Sequence, residues 1–533
     1  MTRTEEKRLN TLSPFEVKNT LIKLANSHHE LHMINAGRGN PNWVATAPRE
    51  AFFYLGQFAL EESKKAFQDF DGFGGVPQKE QISKRLRDFI QKDLSNEGMN
   101  LLKKSLDYAK DKLKIDEDDF VAELVNGILG DNYPVPDRML KHTESIVHDY
   151  LVSEMSSGIT PPSGKFDIFA TEGGTAAMVY IFNTLKSNHL LNEGDTIAIG
   201  TPVFTPYIEI PELEDYKLKT IEVTADEALA WQIPDSEIEK LRDPKIKAFF
   251  LVNPSNPASV KLNAKTLNFI ADVVKERPDL ILLTDDVYGT FTDNFSSLAM
   301  IAPQNTILVY SYSKYFGATG WRLGVIALHE NNNLDKMIQN HPQEIKDELN
   351  ERYSTLSLEP EKMKLIDRFV ADSRAVALNH TAGLSTPQQI QMALFSLLSL
   401  TDKEESYKKS AKQIIRRRYK ALLESTQIEP IISMDNKDAA FYYVEVDILR
   451  IASKLLGNDF VSWLVKEHEP LDFLIRLAEE KSVIAMPGGG FDAPEWSLRL
   501  SLANLYADDY RRITKKGSEL LTEYYNEFIA LAK

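Results

Sequence analysis

The chain has 533 residues, of which 43% are hydrophobic and 26% charged, so it is globular in composition and long enough for two or more domains. Its formal net charge of −16 argues against nucleic acid as a partner, because such binding needs a concentrated basic surface. There is no cysteine, which excludes disulfides, thiolate metal sites and a cysteine nucleophile.

The amino-terminal segment MTRTEEKRLNTLSPFEVKN is charged and lacks the apolar core of a secretory signal. No later stretch approaches the roughly 20 apolar residues that a membrane-spanning helix needs. We therefore expect a cytoplasmic protein that does not insert into membranes. The histidines, including the adjacent pair His28 and His29, lack the spacing of metal ligands, so no metal site is predicted.

The pattern of charged and apolar residues changes along the chain, and these changes predict its domain boundaries. The segment KKSLDYAKDKLKIDEDDF is charge-rich and helical in pattern, and we interpret its charged face as solvent-exposed. The expected units, in chain order, are an N-terminal arm with part of a small domain (1–60), a helical insertion (61–127), a large domain (128–385) that contains a second helical insertion (331–378), and a C-terminal small α+β domain (386–533).

Between residues 166 and 329, short apolar runs alternate with helical patterns, which is typical of βαβ units. The runs are rich in β-branched and aromatic residues and show little polar alternation. We therefore expect an α/β fold with a mostly parallel seven-stranded sheet whose strands are buried on both faces. The predicted strands are 166–171, 195–200, 217–223, 247–253, 280–286, 305–311 and 324–329, followed in the C-terminal part by 440–447 and 496–502.

The segment SYSKYFGATGWRLG, residues 311–324, follows a predicted buried strand and holds the most specific pattern in the chain. A lysine at such a position is costly to bury unless it is paired, neutral or covalently bonded, and a Schiff base to a carbonyl cofactor removes that cost. Ser311 and Arg322 would supply a hydroxyl and a forked cation to a phosphate. A lone lysine in a loop is most often an ordinary surface residue, so the interpretation of Lys314 depends on its neighbours.

Three further segments place polar residues at the carboxyl ends of predicted parallel strands, where open α/β sheets bind ligands. In ATEGGTAAMVYIFNTL a strand ends in Gly-Gly-Thr at 173–175 and a helix begins at once, which favours an anion on the exposed N–H groups. Asn256 in LVNPSNPAS and Tyr288 in LLTDDVYGTF can donate to a phenolic oxygen, while Asp285 can pair with a protonated ring nitrogen. Singly, each of these residues is more commonly a turn or cap former.

In this order and spacing, the four segments closely resemble the fold-type I aminotransferases of the aspartate aminotransferase superfamily, and SYSK…R matches the cofactor-lysine motif of that family nearly letter for letter. The resemblance implies pyridoxal 5′-phosphate as the cofactor, bound covalently to Lys314, which later moves the α-proton of the substrate. The phosphate contacts that it implies are Gly173, Gly174, Thr175, Ser311 and Arg322. The ring contacts that it implies are Asp285 at the nitrogen, Asn256 and Tyr288 at the 3-oxygen, and Phe204 stacked on one face.

Two further residues match the family within their motifs. Arg499 in SLRLSLAN corresponds to the arginine that grips the substrate α-carboxylate, and Tyr133 in GDNYPVPDRML resembles the tyrosine that reaches the phosphate of a neighbouring subunit. The resemblance therefore implies at least a homodimer, and the family suggests larger assemblies of dimers. The two helical insertions do not fit the ordinary aminotransferase pattern.

In the features that depart from the ordinary aminotransferase pattern, the chain is similar to one subgroup, the bacterial L-aspartate 4-decarboxylases. The chain length, the segment INAGRGNPNW at 34–43, the segment NYPVPDR at 132–138 and the two insertions carry this similarity. It implies β-decarboxylation of L-aspartate to L-alanine and CO2, with slow transamination as a side reaction and reactivation by 2-oxo acids such as pyruvate. We expect Arg38, with Lys18 as a helper, to shape the surroundings of the side-chain carboxylate of the substrate.

Two alternatives stay open from the sequence. An aspartate or broad-specificity aminotransferase without efficient decarboxylation would share all the cofactor residues. A cofactor-binding transcription regulator is disfavoured, because neither the acidic balance nor the 1–60 region offers a basic helix-turn-helix.

Overall fold

The computed structural model describes residues 2–26, 32–424 and 430–531, so His28 and His29 lie outside the described residues. Within these ranges the strands are β1 (Ile34–Asn35), β2 (Phe166–Thr171), β3 (Thr196–Thr201), β4 (Lys219–Thr224), β5 (Ile246–Val252), β6 (Ile281–Asp285), β7 (Thr306–Ser311), β8 (Gly324–His329), β9 (Tyr443–Asp447), β10 (Val483–Ile484), β11 (Met486–Pro487) and β12 (Ser497–Ser501).

The helices of the same ranges fall into three groups: those that form most of the N-terminal part, those that alternate with the strands of the central sheet, and those of the C-terminal part. They are α1 (Arg3–Leu9), α2 (Pro14–Ala25), α3 (Ala47–Ala66), α4 (Ile82–Ile90), α5 (Glu97–Asp111), α6 (Glu117–Leu129), α7 (Lys141–Met155), α8 (Gly174–Ser187), α9 (Pro206–Glu212), α10 (Asp235–Glu239), α11 (Ala264–Glu276), α12 (Leu298–Ile301), α13 (Asn333–Gln339), α14 (Gln343–Tyr353), α15 (Leu365–Ser373), α16 (Thr386–Thr401), α17 (Ser406–Leu423), α18 (Ile448–Leu456), α19 (Asn458–Glu467), α20 (Pro470–Lys481) and α21 (Ala507–Leu531). In the described chain, none of these helices is both long and apolar enough to cross a membrane.

Seven strands form the central sheet, in the order β2-β8-β7-β6-β5-β3-β4. All neighbouring pairs are parallel except those of β8, which runs antiparallel to β2 and to β7. The predicted strands of this sheet are all present, so the mostly parallel α/β fold is confirmed. The expected burial on both faces is wrong for β4, where only Val223 is buried, because β4 lies at the edge of the sheet and is covered less.

Alternate residues of the sheet strands point to opposite faces, and each face has its own apolar core. Phe250 and Leu283 belong to the core that contains α8, whereas Phe249 and Leu282 belong to the core that contains α11. Helices therefore cover both faces of the sheet. The carboxyl ends of β2, β5, β6 and β7 meet at one edge, where the strands remain accessible to a ligand.

A separate apolar core joins α3, α4, α5 and α6 to α16. It includes the fully buried Leu55, Leu86 and Leu394, while Lys103 and Lys104 on α5 are exposed, as expected for the charged face of that segment. Within the second helical insertion, α15 packs against α8 and β2. The domain boundaries drawn from the sequence stay predictions.

The C-terminal part contains a three-stranded antiparallel sheet with the order β11-β12-β9. In its register Arg499 lies opposite Glu445, and Ser501 lies opposite Tyr443. Because directly opposed residues and residues two apart share a face, Tyr443, Glu445 and Arg499 all point to the same side of this sheet.

The segment after α2 links the C-terminal part of the chain to the central sheet. β1 pairs in parallel with β10, and further along the N–H of Ala45 donates to the carbonyl oxygen of Phe316 at 3.1 Å. The Phe316 carbonyl lies in the turn that follows β7. The loop at 37–40 is thereby held beside the carboxyl edge of the central sheet.

Candidate active site

Most predicted site residues meet in one pocket of about 480 Å³ at the carboxyl edge of the central sheet. Its walls come from the ends of β5, β6 and β7, the start of α8, helix α2 and the loop at 37–40. The predicted residues that line it are Lys18, Arg38, Gly174, Thr175, Phe204, Asn256, Asp285, Tyr288, Ser311, Lys314, Arg322 and Arg499. Gly173 lies next to it, against Arg322.

Lys314 lies in the turn after β7, where its neighbours Tyr312 and Tyr315 are fully buried. Its Nζ donates to the carbonyl oxygen of Gly39 at 3.3 Å. A Cβ on residue 39 would lie 3.4 Å from this Nζ and 2.6 Å from Oη of Tyr443, so only glycine lets the loop approach this closely. The amine therefore faces the pocket, beneath the 37–40 loop.

The start of α8 and Arg322 form a cradle for an anion. Gly173 precedes the helix with φ 91° and ψ 171°, and a Cβ there would lie 2.5 Å from Nη2 of Arg322. The guanidinium of Arg322 donates to the carbonyl oxygens of Thr319 at 2.9 Å and Glu172 at 3.3 Å, and it pairs with no carboxylate of the described chain. The hydroxyl of Ser311 lines the same space. A helix start beside a cation without a carboxylate partner suits a phosphate group.

Asp285 ends β6, and its carboxylate accepts hydrogen bonds from the Tyr207 hydroxyl at 3.0 Å and from the N–H of Val287 at 3.2 Å. Burial raises the pKa of Asp285 to about 6, although these hydrogen bonds and the charge of Lys314 act in the opposite direction. A carboxylate that is costly to ionise gains from a cation placed against it. The site thus fits a protonated ring nitrogen, with Phe204 in the same pocket wall.

Arg499 is the most buried cation of the pocket, with 2% of its surface exposed. Its guanidinium donates to the carbonyl oxygen of Gly37 at 3.0 Å and to Oδ1 of Asn256 at 3.4 Å, and it lies 4.3 Å from the ring centroid of Tyr443. Burial lowers its pKa, and its Nε has no hydrogen-bond partner in the described chain. A buried cation with a free N–H is well suited to a carboxylate ligand.

Lys18 and Arg38 add positive charge to the same pocket. The Nζ of Lys18 lies 5.5 Å from the ring centroid of Phe15. Burial lowers the pKa of Lys18, and the charges of Arg499 and Arg38 lower it further. Neither Lys18 nor Arg38 forms an ion pair with a carboxylate in the described ranges. The two arginines thus add to the cost of keeping Lys18 charged, which an anionic ligand would relieve.

Tyr133 is the one predicted residue far from this arrangement: it does not line the pocket, and its side chain is 65% exposed. The contact predicted for it is with the phosphate of a neighbouring subunit, so its role stays a prediction.

Three aromatic residues that were not predicted from the sequence also line the pocket: Phe15, Tyr207 and Tyr443. Tyr207 lies three residues after the predicted Phe204, in the segment TPVFTPY at 201–207. For Tyr443 the only signal was its place in a predicted strand, which gives no information on what the side chain faces.

A family model for aminotransferase class I and II matches residues 167–516. The chain belongs to this aminotransferase family. A Pseudomonas sp. protein, named bifunctional aspartate aminotransferase and L-aspartate beta-decarboxylase, is 49% identical over 98% of both chains. An aspartate aminotransferase of Pyrococcus abyssi is 34% identical over 26% of this chain and 36% of its own length.

Solved structures agree with the fold of this aminotransferase. The aspartate aminotransferase from Thermus thermophilus with maleate superposes with a TM-score of 0.57 at 17% identity, covering 96% of both chains. The aromatic aminotransferase from Pyrococcus horikoshii gives a TM-score of 0.56 at 20% identity, covering 92% of this chain and 96% of its own. The seven-stranded sheet is therefore that of the fold-type I aminotransferases.

The family and the fold imply pyridoxal 5′-phosphate as the cofactor, and the residues present fit it. The phosphate would lie between the start of α8 and Arg322, which has no carboxylate partner in the described chain. The ring nitrogen would face Asp285, whose raised pKa marks a buried carboxyl without a cation paired to it. Lys314 is the amine that the aldehyde would reach.

Proposed function

We propose that the protein is a pyridoxal 5′-phosphate-dependent enzyme that removes the β-carboxylate of L-aspartate to give L-alanine and CO2, with aspartate amino transfer as a secondary activity. The observation that carries the proposal is the charge of the pocket: Lys18, Arg38 and Arg499 all line it, and none pairs with a carboxylate of the described chain. Such a pocket suits a substrate with two carboxylates. The name of the Pseudomonas relative supports the same reaction.

Three residues of the chain have separate roles in the chemistry at the α-carbon. Arg499 binds the α-carboxylate through its forked N–H groups, Asp285 keeps the ring nitrogen protonated, and Nζ of Lys314 takes the α-proton and returns it. When bound, pyridoxal 5′-phosphate supplies an electron sink next to the substrate nitrogen. Asn256 and Tyr288 would bind the 3-oxygen of the ring.

Lys18 and Arg38 contact the second carboxylate. Arg38 is exposed, and burial with the neighbouring cations lowers the pKa of Lys18, so their hold is weaker than that of the buried Arg499. A weak hold serves the reaction, because the departing CO2 is neutral and the contacts to the carboxylate are lost as it leaves.

A plain aspartate or broad-specificity aminotransferase is the second candidate, since the name of the Pseudomonas relative includes both activities. The same cofactor residues would serve it. In either case, a 2-oxo acid such as pyruvate would restore the cofactor after amino transfer.

Incubation of the cofactor-loaded protein with L-aspartate alone separates the two candidates. We expect many turnovers of CO2 and L-alanine per site. A single turnover to oxaloacetate without CO2 would instead support the aminotransferase. Lys314→Ala should remove the visible absorbance of the lysine-bound cofactor together with nearly all turnover, and a normal spectrum in that variant would refute the assignment of the lysine.

The contact to the second carboxylate is tested by Lys18→Gln, with Lys23→Gln as the matched control on the same helix. Lys23 is exposed and does not line the pocket. Loss of a charge-assisted contact should raise KM for aspartate about tenfold in Lys18→Gln. An equal KM in both variants would exclude Lys18 from substrate binding.

We also infer a cytoplasmic homodimer, or an assembly of such dimers, in which Tyr133 completes the site of the neighbouring subunit. Mixing and reassociation of the Lys314→Ala and Tyr133→Phe proteins tests this. If Tyr133 acts across the interface, hybrid dimers contain one intact site and activity returns. If it acts within its own chain, the mixture stays as inactive as its components.

A further inference from the structure

We propose that Tyr443 is the acid that protonates the β-carbon of the substrate after the carboxylate has left. The inference rests on the proposed β-decarboxylation and names the group that completes it. In that reaction the bond between the β-carbon and the carboxylate carbon breaks, and CO2 leaves without the bonding electron pair. The β-carbon uses this pair to form a new C–H bond, so the methylene of aspartate becomes the methyl of alanine and one proton is consumed.

Tyr443 lies between the two residues that handle the α-carbon. Its ring centroid is 4.3 Å from the guanidinium carbon of Arg499. Its Oη and the Nζ of Lys314 approach the same small space, because a Cβ on Gly39 would lie 2.6 Å from the first and 3.4 Å from the second. A substrate held by Arg499 with its α-carbon at Lys314 has its β-carbon one bond further on, within reach of the Tyr443 hydroxyl.

The hydroxyl proton of Tyr443 is also available for transfer to the substrate. The hydroxyl of Tyr288 donates to Oη of Tyr443 at 3.2 Å, and if the 3-oxygen of the bound ring takes that proton instead, Oη of Tyr443 still has no carboxylate or carbonyl acceptor for its own proton among the described residues. Two nearby tyrosines differ in this respect, since Tyr207 donates to a carboxylate and Tyr442 to a backbone carbonyl oxygen. Among these four, Tyr443 is therefore the one whose hydroxyl donates to no acceptor in the described part of the chain.

The charges around Tyr443 suit an acid. Burial alone would raise its pKa, but the cations of Lys314 and Arg499 and the hydrogen bond from Tyr288 lower it below the ordinary value. The same cations stabilise the phenolate that remains after the proton has moved, and an acid with a pKa closer to the working pH transfers its proton more readily. Water then supplies the proton that restores the hydroxyl.

The first test needs no turnover and uses the ultraviolet absorbance of tyrosinate in the full-length, cofactor-free protein. Titration of the wild type should show a tyrosine that ionises below pH 10, the ordinary pKa of the side chain, and Tyr443→Phe should lack it. Tyr442→Phe is the matched control, because it removes the neighbouring buried hydroxyl and leaves Tyr443 intact. If all three proteins titrate alike, the proposal is overturned.

The second test follows CO2 and L-alanine separately in the cofactor-loaded proteins, because the proposed proton transfer comes after CO2 has left. Tyr443→Phe keeps the ring on Arg499 and loses only the hydroxyl, so it should still release about one CO2 per site and then form L-alanine about 100-fold more slowly than the wild type. Tyr442→Phe should show no such gap between the first CO2 and L-alanine formation. Equal rates of L-alanine formation after the first CO2 in Tyr443→Phe and the wild type would overturn the role of Tyr443, whereas a wild type that exchanges the α-proton in D2O without releasing CO2 would overturn the proposed function itself.

Discussion

The substitution Gly173→Ala tests the anion cradle most directly. The backbone at 173 has φ 91° and ψ 171°, a region that is nearly restricted to glycine and costs other residues about 1–3 kcal/mol. The new Cβ would also lie 2.5 Å from Nη2 of Arg322, so the guanidinium must move and weaken a charge-assisted contact worth about 1.5–3 kcal/mol. If only the smaller of these two effects weakens binding, the Kd for pyridoxal 5′-phosphate rises at least about fivefold; if both do, it rises at least about 60-fold.

Titration of the cofactor-free protein with pyridoxal 5′-phosphate, followed by absorbance, measures this Kd. Gly194→Ala is the control, because Gly194 has a similar φ of 85° but nothing within 4 Å of a new Cβ, and it lies outside the pocket. We expect Gly194→Ala to bind the cofactor within about twofold of the wild type. Equal Kd values for the two variants would refute the placement of the phosphate between α8 and Arg322.

Three other residues give predictions of different kinds. Burial raises the pKa of Asp285 to about 6, so its carboxylate becomes neutral below that pH. Cofactor affinity should therefore fall about tenfold from pH 7 to pH 5, and by less in Asp285→Asn, in the same titration. Burial raises the pKa of Glu445 to about 8 from 4.5, so the folded state keeps a proton that the unfolded state has lost, and this costs stability increasingly from pH 4.5 to pH 8. Glu445→Gln should raise the free energy of unfolding by about 3 kcal/mol at pH 7 and by little near pH 4.5, as measured by urea unfolding. Gly39→Ala should impair cofactor loading, because the new Cβ clashes with Oη of Tyr443. Adding Tyr443→Phe should restore loading, because the nearest remaining ring atom, Cζ, lies 3.7 Å from that Cβ. Additive losses of cofactor loading in the double variant would contradict this.

The sequence predicted the central sheet well because its strands are short apolar runs bounded by turn residues. The strand expected at 166–171 is β2 as the structure has it. The strand expected at 217–223 begins two residues later, because Lys217 takes a φ of 49° in a turn and its carbonyl oxygen accepts from the N–H of Gly194. What local patterning could not give was strand order, and with it the exposure of β4 at the sheet edge.

The same difference between local sequence patterns and long-range contacts explains which site residues could be predicted. Asp285 ends one strand of the parallel sheet and Lys314 follows another, and the ends of parallel strands meet wherever such a sheet forms. The approach of the 37–40 loop to Tyr443 depends on contacts between segments some four hundred residues apart, among them the pairing of β1 with β10. No periodicity in the sequence records that contact, so Tyr443 was missed.

The burial of the cations also bears on which carboxylate aspartate loses in the proposed reaction. Loss of the α-carboxylate as neutral CO2 would leave Arg499 as a buried cation without an anion, and breaking a buried pair in this way costs about 3–5 kcal/mol. Loss of the β-carboxylate leaves the exposed Arg38, at a cost of at most about 1 kcal/mol, and Lys18, which is only half-buried. Both cations are more accessible to water than Arg499, so cleavage at the β-carbon leaves the less costly set of unpaired cations before any effect of bond alignment is considered. The contrast in burial between these cations and Arg499 therefore favours loss of the side-chain carboxylate.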